Sequence, residues 1–461
     1  MKKKASISTY VYKFKRYIPW FVFGCIILLY ANTLGHEFTQ DDAITIYKNQ
    51  FTKQGLSGIS DIFTNDTFYG FFGGDKSDLV SGGRYRPLTL AYFAILWEIF
   101  GENPLPFHIS SILMYGILCV ILYHFFLKLI VFKKKSKNIL LSTISTLTFA
   151  AHPIHTEVVA NVKGLDEIWS LGFGLLSTIL VLKFIDKKKF NYLLCSAFCL
   201  ISGILAKENA ITFLGIIPLT ILFFRKTNWS VKWKIVAMLI ISLSIYLAIR
   251  ISVIGFTFGN PPLEMMNNPF MKMIDGVYYP FTTSEKWATI IYGLGRYVGI
   301  LFFPHPLTHD YYPRHFNVMT FADIKVILAL ILNVMIISFG IVDFRKKTIV
   351  SYSSIFYLIT IALTCNVIFP IGTHLSERFL FTPSIAFALL IGLSFTVFSH
   401  KWNVKWILSI WVILIILFSI KTIERNWVWK SDYSLFTTDV HTSPNSAKVQ
   451  NAAGGAMITK A

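Results

Sequence analysis

Charged residues are scarce in this chain: Asp, Glu, Lys and Arg make up only 15% of its 461 residues, whereas soluble globular proteins carry about 25%. Acidic residues are the rarer sign, with 24 Asp and Glu against 43 Lys and Arg. Only five cysteines occur, without the spacing of a disulfide framework or a zinc site. These shortages argue against a water-soluble enzyme and against a disulfide-stapled secreted domain.

Glycine-rich phosphate loops are also missing. Neither G-x-x-x-x-G-K-[ST] nor G-x-G-x-x-G occurs, so ATP-driven transport and dinucleotide chemistry lose support. The formal charge of +19 would suit a nucleic-acid partner on a hydrophilic surface. Here 54% of the residues are hydrophobic and the apolar runs approach the length of a bilayer span. A lipid bilayer is therefore the expected partner, and no nucleic acid is expected.

The apolar runs predict an all-α polytopic membrane protein with about eleven transmembrane helices. The first follows a basic N-terminus and is expected to stay uncleaved, since no small-residue cleavage site follows it. Several of the runs are short enough to require tilting or a locally thinner bilayer. The predicted spans are 17–34, 106–132, 138–151, 168–185, 190–206, 209–224, 233–254, 321–342, 349–370, 379–398 and 405–422.

Basic clusters alternate with these spans and set the predicted orientation. In the eleven-span arrangement, 24 of the 43 basic residues fall on one side, which the positive-inside rule makes the cytoplasm. The N-terminus is then cytoplasmic and the C-terminus lies on the opposite side. Segment 287–303 is apolar enough to cross, but a twelfth span would reverse the later clusters, so an interfacial or re-entrant position is predicted. Residues 35–106 and 255–320 become long outer loops.

An acidic pair, Asp41-Asp42, follows the first span by a few residues. Carboxylates at a membrane boundary are costly to desolvate, and a neighbouring like charge raises one pKa. That combination suits a general base that takes a hydroxyl proton near neutral pH. A solvated loop pair or a helix N-cap is the plainer alternative.

A second polar stretch lies between two apolar spans, at residues 151–167. It contains His152, His155, Glu157, Lys163, Asp166 and Glu167. Proline interrupts the two histidines and no helical zinc pair is present, so no tightly bound metal is predicted. A labile divalent cation shared with a phosphate is the metal hypothesis that stays open, and a polar helix cap is the alternative.

Cations also occur on the predicted outer side, where the positive-inside rule disfavours them. Guanidinium groups bind phosphate in a bidentate manner, and a lipid-linked phosphate would be exposed at this surface. The alternative for any one of them is a local salt bridge, such as Arg378 with Glu377. The residues concerned are Arg84, Arg86, Lys207, Arg296, Arg314 and Arg378.

Five segments, in order, resemble the transmembrane O-mannosyltransferases that carry tetratricopeptide repeats, the TMTC family of the GT-C glycosyltransferases. The resemblance covers nearly the whole chain, and the second, third and fifth segments are the most specific. One departure is Lys163-Gly-Leu-Asp-Glu, where the family more often has Gly-Arg-Ala-Asp. The segments begin at Asp41-Asp-Ala-Ile, Arg84-Tyr-Arg-Pro-Leu-Thr (with Pro104-Leu-Pro-Phe-His), His152-Pro-Ile-His-Thr-Glu, Pro306-Leu-Thr-His-Asp-Tyr-Tyr-Pro and Ile371-Gly-Thr-His-Leu-Ser-Glu-Arg-Phe.

The resemblance implies a GT-C-like transmembrane glycosyltransferase domain at 1–424, with 425–461 as the lead-in to a tetratricopeptide-repeat region. It implies inverting transfer of a sugar, mannose in the family, from a polyprenyl-phosphate donor to Ser or Thr of an exported protein. Asp41 and Asp42 correspond to the base. Donor-phosphate contacts are expected from Arg86, Lys207 and Arg378, and acceptor or orienting roles from His152, His155, Glu157, Asp166 and Glu377.

Other readings of the sequence stay open. The acceptor could be a lipid or a cell-envelope glycan, and a transporter for a lipid-linked sugar or a non-catalytic scaffold are further alternatives. A transporter would show polar groups at mid-span and internal repeats; the former are few and the latter absent. The abundance of Ile, Phe, Lys and Asn favours a bacterial inner membrane with a periplasmic site, or the endoplasmic reticulum membrane in a eukaryote.

Overall fold

The computed structural model describes residues 11–74, 83–130, 132, 134–256 and 268–460, with the side chain of His400 left aside. These residues form nineteen α-helices and one two-stranded sheet, joined by short helical turns. The helices are α1 Ile18–Tyr30, α2 Gln50–Lys53, α3 Ile59–Thr64, α4 Tyr69–Phe72, α5 Pro87–Phe100, α6 Pro104–Leu129, α7 Lys135–Ala150, α8 Thr156–Ala160, α9 Leu165–Lys187, α10 Asn191–Ala206, α11 Phe213–Phe224, α12 Trp229–Ile254, α13 Thr283–Phe302, α14 Ile324–Val342, α15 Ile349–Ile361, α16 Ser384–Lys401, α17 Val404–Val428, α18 Asp432–Thr442 and α19 Ala447–Lys460.

Each of the eleven predicted spans contains a helix, which confirms the all-α membrane class. Five helical segments in the described part of the chain are long and apolar enough to cross a bilayer: Pro104–Leu129, Val162–Lys187, Trp229–Ile254, Ile324–Val342 and Val404–Val428. Six further apolar helices are shorter, among them α1, α5, α10 and α15. The number of crossings and their orientation stay predictions.

Two predicted span boundaries are wrong. The span predicted at 349–370 is helical only over Ile349–Ile361, and Asn366 then adopts a left-handed φ of 61° that interrupts a right-handed helix. The span predicted at 379–398 begins at Ser384, because Pro383 disfavours helical geometry in the residue before it.

Helix α9 forms the centre of the packed bundle. It packs against α6 and α10, and most of its residues are buried, including Leu171, Leu175 and Leu182. A helix that is apolar around its whole circumference is suited to such a central position. The N-terminal end of α9, where Asp166 and Glu167 lie, is therefore brought against the ends of several neighbouring helices.

The segment at 287–303 is one continuous helix, α13, which packs along α14. It is continuous over this segment, and its interfacial or re-entrant position stays a prediction. Gly295 explains the close packing, because a side chain there would collide with Ala329 of α14. An antiparallel hairpin, β1 Met271–Ile274 and β2 Val277–Pro280, precedes the helix.

The C-terminal segment forms two helices, α18 and α19, that pack on each other. A capping box starts α18, because the side chains of Ser431 and Ser434 each accept a hydrogen bond from the backbone N–H of the other residue. Its Leu435 is buried with Ala160 and Trp429. The segment predicted to lead into a repeat region is thus folded as a helix pair against the main bundle. The five cysteines are all free.

Candidate active site

The charged residues singled out in the sequence lie on short turns that join the helix ends. A 3₁₀ turn at Val162–Gly164 carries Lys163 into α9, a second at Glu208–Thr212 follows Lys207, and a third at Glu377–Leu380 carries Arg378. A turn exposes backbone and side-chain groups that a continuous helix would keep apart, so one region receives charges from distant parts of the chain.

The two residues of the acidic pair have different environments. Asp42 is fully buried, and its carboxylate accepts hydrogen bonds from the backbone N–H groups of Thr39 (3.0 Å) and Lys163 (2.7 Å). The Asp41 side chain is 26% exposed. Asp42 therefore joins the loop after α1 to the turn before α9, and Asp41 is the member of the pair that solvent or a ligand reaches.

Asp41 forms ion pairs with two cations. Its Oδ2 atom lies 3.0 Å from a guanidinium nitrogen of Arg378 and 3.6 Å from Nζ of Lys163. Burial alone would raise the pKa of Asp41, but these two cations outweigh that effect and hold the pKa well below its ordinary value. Asp41 is therefore ionised at neutral pH.

Asp166 is the centre of the cation cluster. Its carboxylate lies 3.0 Å from Lys207 Nζ, 3.0 Å from the Arg86 guanidinium and 3.5 Å from Lys163 Nζ. Lys207 also pairs with Glu167 at 2.8 Å, and Arg86 with Glu208 at 2.8 Å. Because every one of these charges is matched by an opposite one, the buried network is electrically balanced.

Glu157 and Glu377 flank Arg378 in different ways. Glu157 accepts the Arg378 backbone N–H at 3.0 Å and lies 3.6 Å from its guanidinium. Glu377 instead accepts the Thr308 N–H (2.7 Å) and the Tyr311 hydroxyl (2.8 Å). The proposed local pairing of Arg378 with Glu377 is thus wrong: Arg378 pairs with Asp41 and Glu157. Burial raises the pKa of Glu377 to about 8.

His152 and His155 are buried in the bundle. His152 Nε2 contacts the Leu301 carbonyl at 2.9 Å. His155 bonds the Ser384 hydroxyl (3.0 Å) and the Tyr115 hydroxyl (2.8 Å). These partners join the turn before α8 to the neighbouring elements, and no hydrogen bond in the described structure joins either ring to the charged cluster. A packing role explains both histidines, and their predicted role in orienting an acceptor gains no support.

Arg84 is a cation of the site that lacks a carboxylate partner in the described part of the chain. Its guanidinium lies over the Phe68 ring, 5.2 Å from the centroid, and no ion pair within 4.0 Å is found for it among those residues. Burial, with Arg86 and Arg378 as like charges, lowers the pKa of Arg84 to about 10. Glu208 and Asp41 act on Arg84 electrostatically, but its guanidinium forms no direct ion pair with either of them.

Three residues of the cluster had received no role from the sequence: Lys163, Glu167 and Glu208. Each is a direct neighbour of a residue or motif that was singled out, so adjacency was the available signal. What the chain order could not indicate is that Lys163 bridges Asp41 and Asp166. A small pocket borders this bridge and is lined by Glu157, Val158, Asn161, Lys163, Gly164, Asp166, Glu167 and Arg378.

A metal would need several free ligands of the right type. No group of three or more His, Cys, Asp and Glu side chains that could hold a metal ion is found within the described ranges. The carboxylates of the cluster are engaged by Lys and Arg instead, as the contacts of Asp41 and Asp166 illustrate.

The environment of Asp42 predicts a pH effect on stability. Burial is the largest cause that raises its pKa from an ordinary 3.8 to about 7, so between these values the folded protein binds a proton that the unfolded chain releases. The contribution of Asp42 to stability therefore falls as the pH rises from about 4 to about 7. Relative to Asp42→Asn, which does not titrate, the wild type is expected to lose thermal stability from pH 5 to pH 7. Thermal midpoints that run parallel for the two proteins would contradict this.

The fold and the cluster define a class of protein: a polytopic helical membrane protein with a balanced buried charge network and an exposed carboxylate. No family model matches the chain. Over 92% of its length it is 27% identical to the Caenorhabditis elegans protein named protein O-mannosyl-transferase F38B6.6, and over 95% it is 26% identical to human protein O-mannosyl-transferase TMTC3. Human TMTC1 is 27% identical over 92% of the chain.

These similarities confirm that the chain is TMTC-like. The aligned regions cover 57%, 49% and 51% of those three relatives, so the chain spans about half the length of the curated relatives it matches.

Proposed function

We propose that the protein is a membrane glycosyltransferase that moves mannose from a polyprenyl phosphate to Ser or Thr hydroxyls of a protein. The observation that carries the proposal is the partly exposed Asp41 carboxylate, ionised and held by Arg378 and Lys163, in a chain similar to O-mannosyl-transferases. The similarity supports the reaction class, and the cluster supplies groups with the required chemistry.

The proposed reaction needs one base and one anion-binding group. The acceptor oxygen attacks the anomeric carbon while the bond from that carbon to the phosphate oxygen breaks, which inverts the centre. Asp41 takes the hydroxyl proton, and polyprenyl phosphate leaves as an anion that needs no general acid. The transition state resembles an oxocarbenium ion, and cations stabilise the negative charge that develops on the leaving oxygen.

Asp41 and Asp42 are proposed to have separate roles. Asp41 is the base because its carboxylate is partly exposed and ionised, although the low pKa that Lys163 and Arg378 impose makes it a weaker base than the near-neutral carboxylate that the sequence predicted. Asp42 positions the loop, because both of its oxygens accept backbone N–H groups in a buried setting. Asp166 is proposed to orient the cations around it, because its carboxylate contacts Lys207, Arg86 and Lys163.

Arg84 is the cation we propose for the donor phosphate. Arg86 and Lys207, the earlier candidates, each pair with two carboxylates, whereas the Arg84 charge is not neutralised in that way. Arg378 remains a second candidate, because it borders both Asp41 and the pocket.

Replacing Arg84 tests this assignment. Arg84→Gln is expected to raise the KM for the polyprenyl-phosphate donor about tenfold, since a charge-assisted hydrogen bond contributes roughly 1.5–3 kcal/mol. The KM for the acceptor should change little. The measurement is initial-rate transfer in detergent with each substrate varied, and exposed Lys346→Gln is the control. An unchanged donor KM would remove Arg84 from the phosphate site.

Transfer itself is tested with radiolabelled polyprenyl-phosphate mannose and Ser/Thr peptides in membranes that contain the protein. Labelled peptide supports the proposal; label in lipid or glycan with none in peptide would assign another acceptor. A chelator in the same assay decides whether a labile divalent cation takes part.

The relatives named above come from animals, so the bacterial inner membrane predicted from composition is a proposal. Locating the protein in its own cell would test it.

A further inference from the structure

Helix α18 contacts the chain on both sides of the Asp41–Arg378 ion pair. On one side, the Asp432 carboxylate accepts the backbone N–H of Gln40 at 2.7 Å, across 392 residues of sequence. Gln40 is the residue directly before Asp41, and its φ of 49° places it in the left-handed region. Residues with a side chain adopt that conformation only when their surroundings hold it, and Asp432 is one such restraint.

On the other side, Asp439 reaches Arg378 through the loop at 308–311. Asp439 is fully buried and is bound by the Arg425 guanidinium. It accepts the His309 backbone N–H at 2.6 Å and contacts His309 Nδ1 at 2.9 Å. The same loop donates to Glu377 through the backbone N–H of Thr308 and the hydroxyl of Tyr311.

One rigid element therefore restrains both partners of the ion pair. Asp432 and Asp439 are seven residues apart, about two helical turns, and so lie on the same face of α18. Asp432 acts on the residue before Asp41, and Asp439 acts through Thr308 and Tyr311 on the residue before Arg378. The Asp41–Arg378 ion pair of 3.0 Å lies between these two groups of contacts.

We propose that α18 is a positioning element of the active site and that Asp432, Asp439 and Tyr311 are its positioning residues. This inference rests on the proposed function, because it assigns the base to Asp41. The residues hold the base and Arg378 at their working separation and touch no substrate. A misplacement of about 1 Å costs roughly 100-fold in rate, so loss of one restraint lowers turnover more than substrate affinity.

The first experiment compares Asp432→Ala with Asp432→Asn in the full chain. The alanine removes the acceptor for the Gln40 N–H, whereas the asparagine carbonyl keeps it. We expect Asp432→Ala to lower kcat about tenfold with KM for donor and acceptor within about twofold, and Asp432→Asn to restore most of the rate. Glu424→Ala is the matched control, because this exposed acid pairs only with Lys421 among the described residues.

The second measurement does not depend on transfer. Amide hydrogen exchange over residues 37–47 should accelerate in Asp432→Ala and stay near wild type in Asp432→Asn and Glu424→Ala. Unchanged exchange in the alanine variant overturns the inference even if no sugar transfer is found. Transfer that needs Asp41 but has a normal kcat in Asp432→Ala overturns the inference and leaves the proposed function standing.

Tyr311→Phe keeps the test valid if Asp432→Ala does not fold. It removes a single hydroxyl, 2.8 Å from Glu377, with little change in volume. We expect kcat to fall about fivefold, with both KM values retained, as the loss of one hydrogen bond of roughly 1 kcal/mol implies. A kcat equal to wild type would contradict the link from the loop to Arg378.

Discussion

Asp41→Asn is expected to lower sugar transfer at least about 100-fold, because general-base catalysis contributes about 10²–10⁴ in rate. The amide has nearly the same size as the carboxylate but takes up no proton at neutral pH. The fold should persist, since Arg378 keeps Glu157 and Lys163 keeps Asp166 as partners. The measurement is kcat with polyprenyl-phosphate mannose and a peptide acceptor, together with the thermal midpoint in detergent.

Two further variants test whether the loss of transfer is specific to Asp41. Glu102→Gln changes an exposed acid and should leave transfer unchanged. Asp42→Asn should reduce transfer less than Asp41→Asn, because one of its side-chain oxygens still accepts a backbone N–H. Normal transfer by Asp41→Asn would remove the base assignment, and a larger loss in Asp42→Asn would reverse the roles given to the pair.

Lys207→Met is expected to lose more stability than any other variant proposed for this protein, on the order of 3 kcal/mol in the free energy of unfolding. Lys207 is 3% exposed and pairs with both Asp166 and Glu167. Methionine fills a similar volume, so the loss comes from two carboxylates that keep their charge without this partner. Thermal unfolding followed by tryptophan fluorescence in detergent measures the effect.

A matched exposed pair provides the control. Lys346→Met breaks the contact of Lys346 with Asp343, and Lys346 is 73% exposed, so a change within about 0.5 kcal/mol is expected. Adding Glu167→Gln to Lys207→Met should recover part of the stability, because it removes one of the uncompensated charges. Equal shifts for the two lysine variants would show that the buried network contributes little.

Helix type and approximate position were predictable because they depend on local properties of the chain. A run of apolar residues has no stable bilayer alternative to a helix, so α6, α9 and α12 follow from composition alone. The ends were less predictable. The helix after Thr348 stops at Ile361 although the apolar character continues, since the backbone turn at Asn366 depends on its own contacts with Ile371 and Thr373.

The polar motifs of the site were predictable in part. Asp41, Arg86, Asp166, Lys207 and Arg378 do come together, as their shared predicted side of the membrane suggested. His152 and His155 were assigned to the same group because they lie in the same motif. The structure turns their rings toward Leu301, Ser384 and Tyr115 instead, and sequence adjacency contains no information on that direction.

The sequence by itself determined the class of protein, its apolar segments and the set of polar residues available for chemistry, because hydropathy and motif spacing are read along the chain. Only the tertiary structure decided that Asp41 rather than Asp42 is partly exposed, that Arg84 has no direct carboxylate partner among the described residues and that α18 contacts the segments beside Asp41 and Arg378. Each of these depends on contacts between distant residues, such as Asp41 and Arg378, 337 positions apart. Burial and charge pairing are properties of the packed molecule, and the free energy that selects them is not present in any single segment.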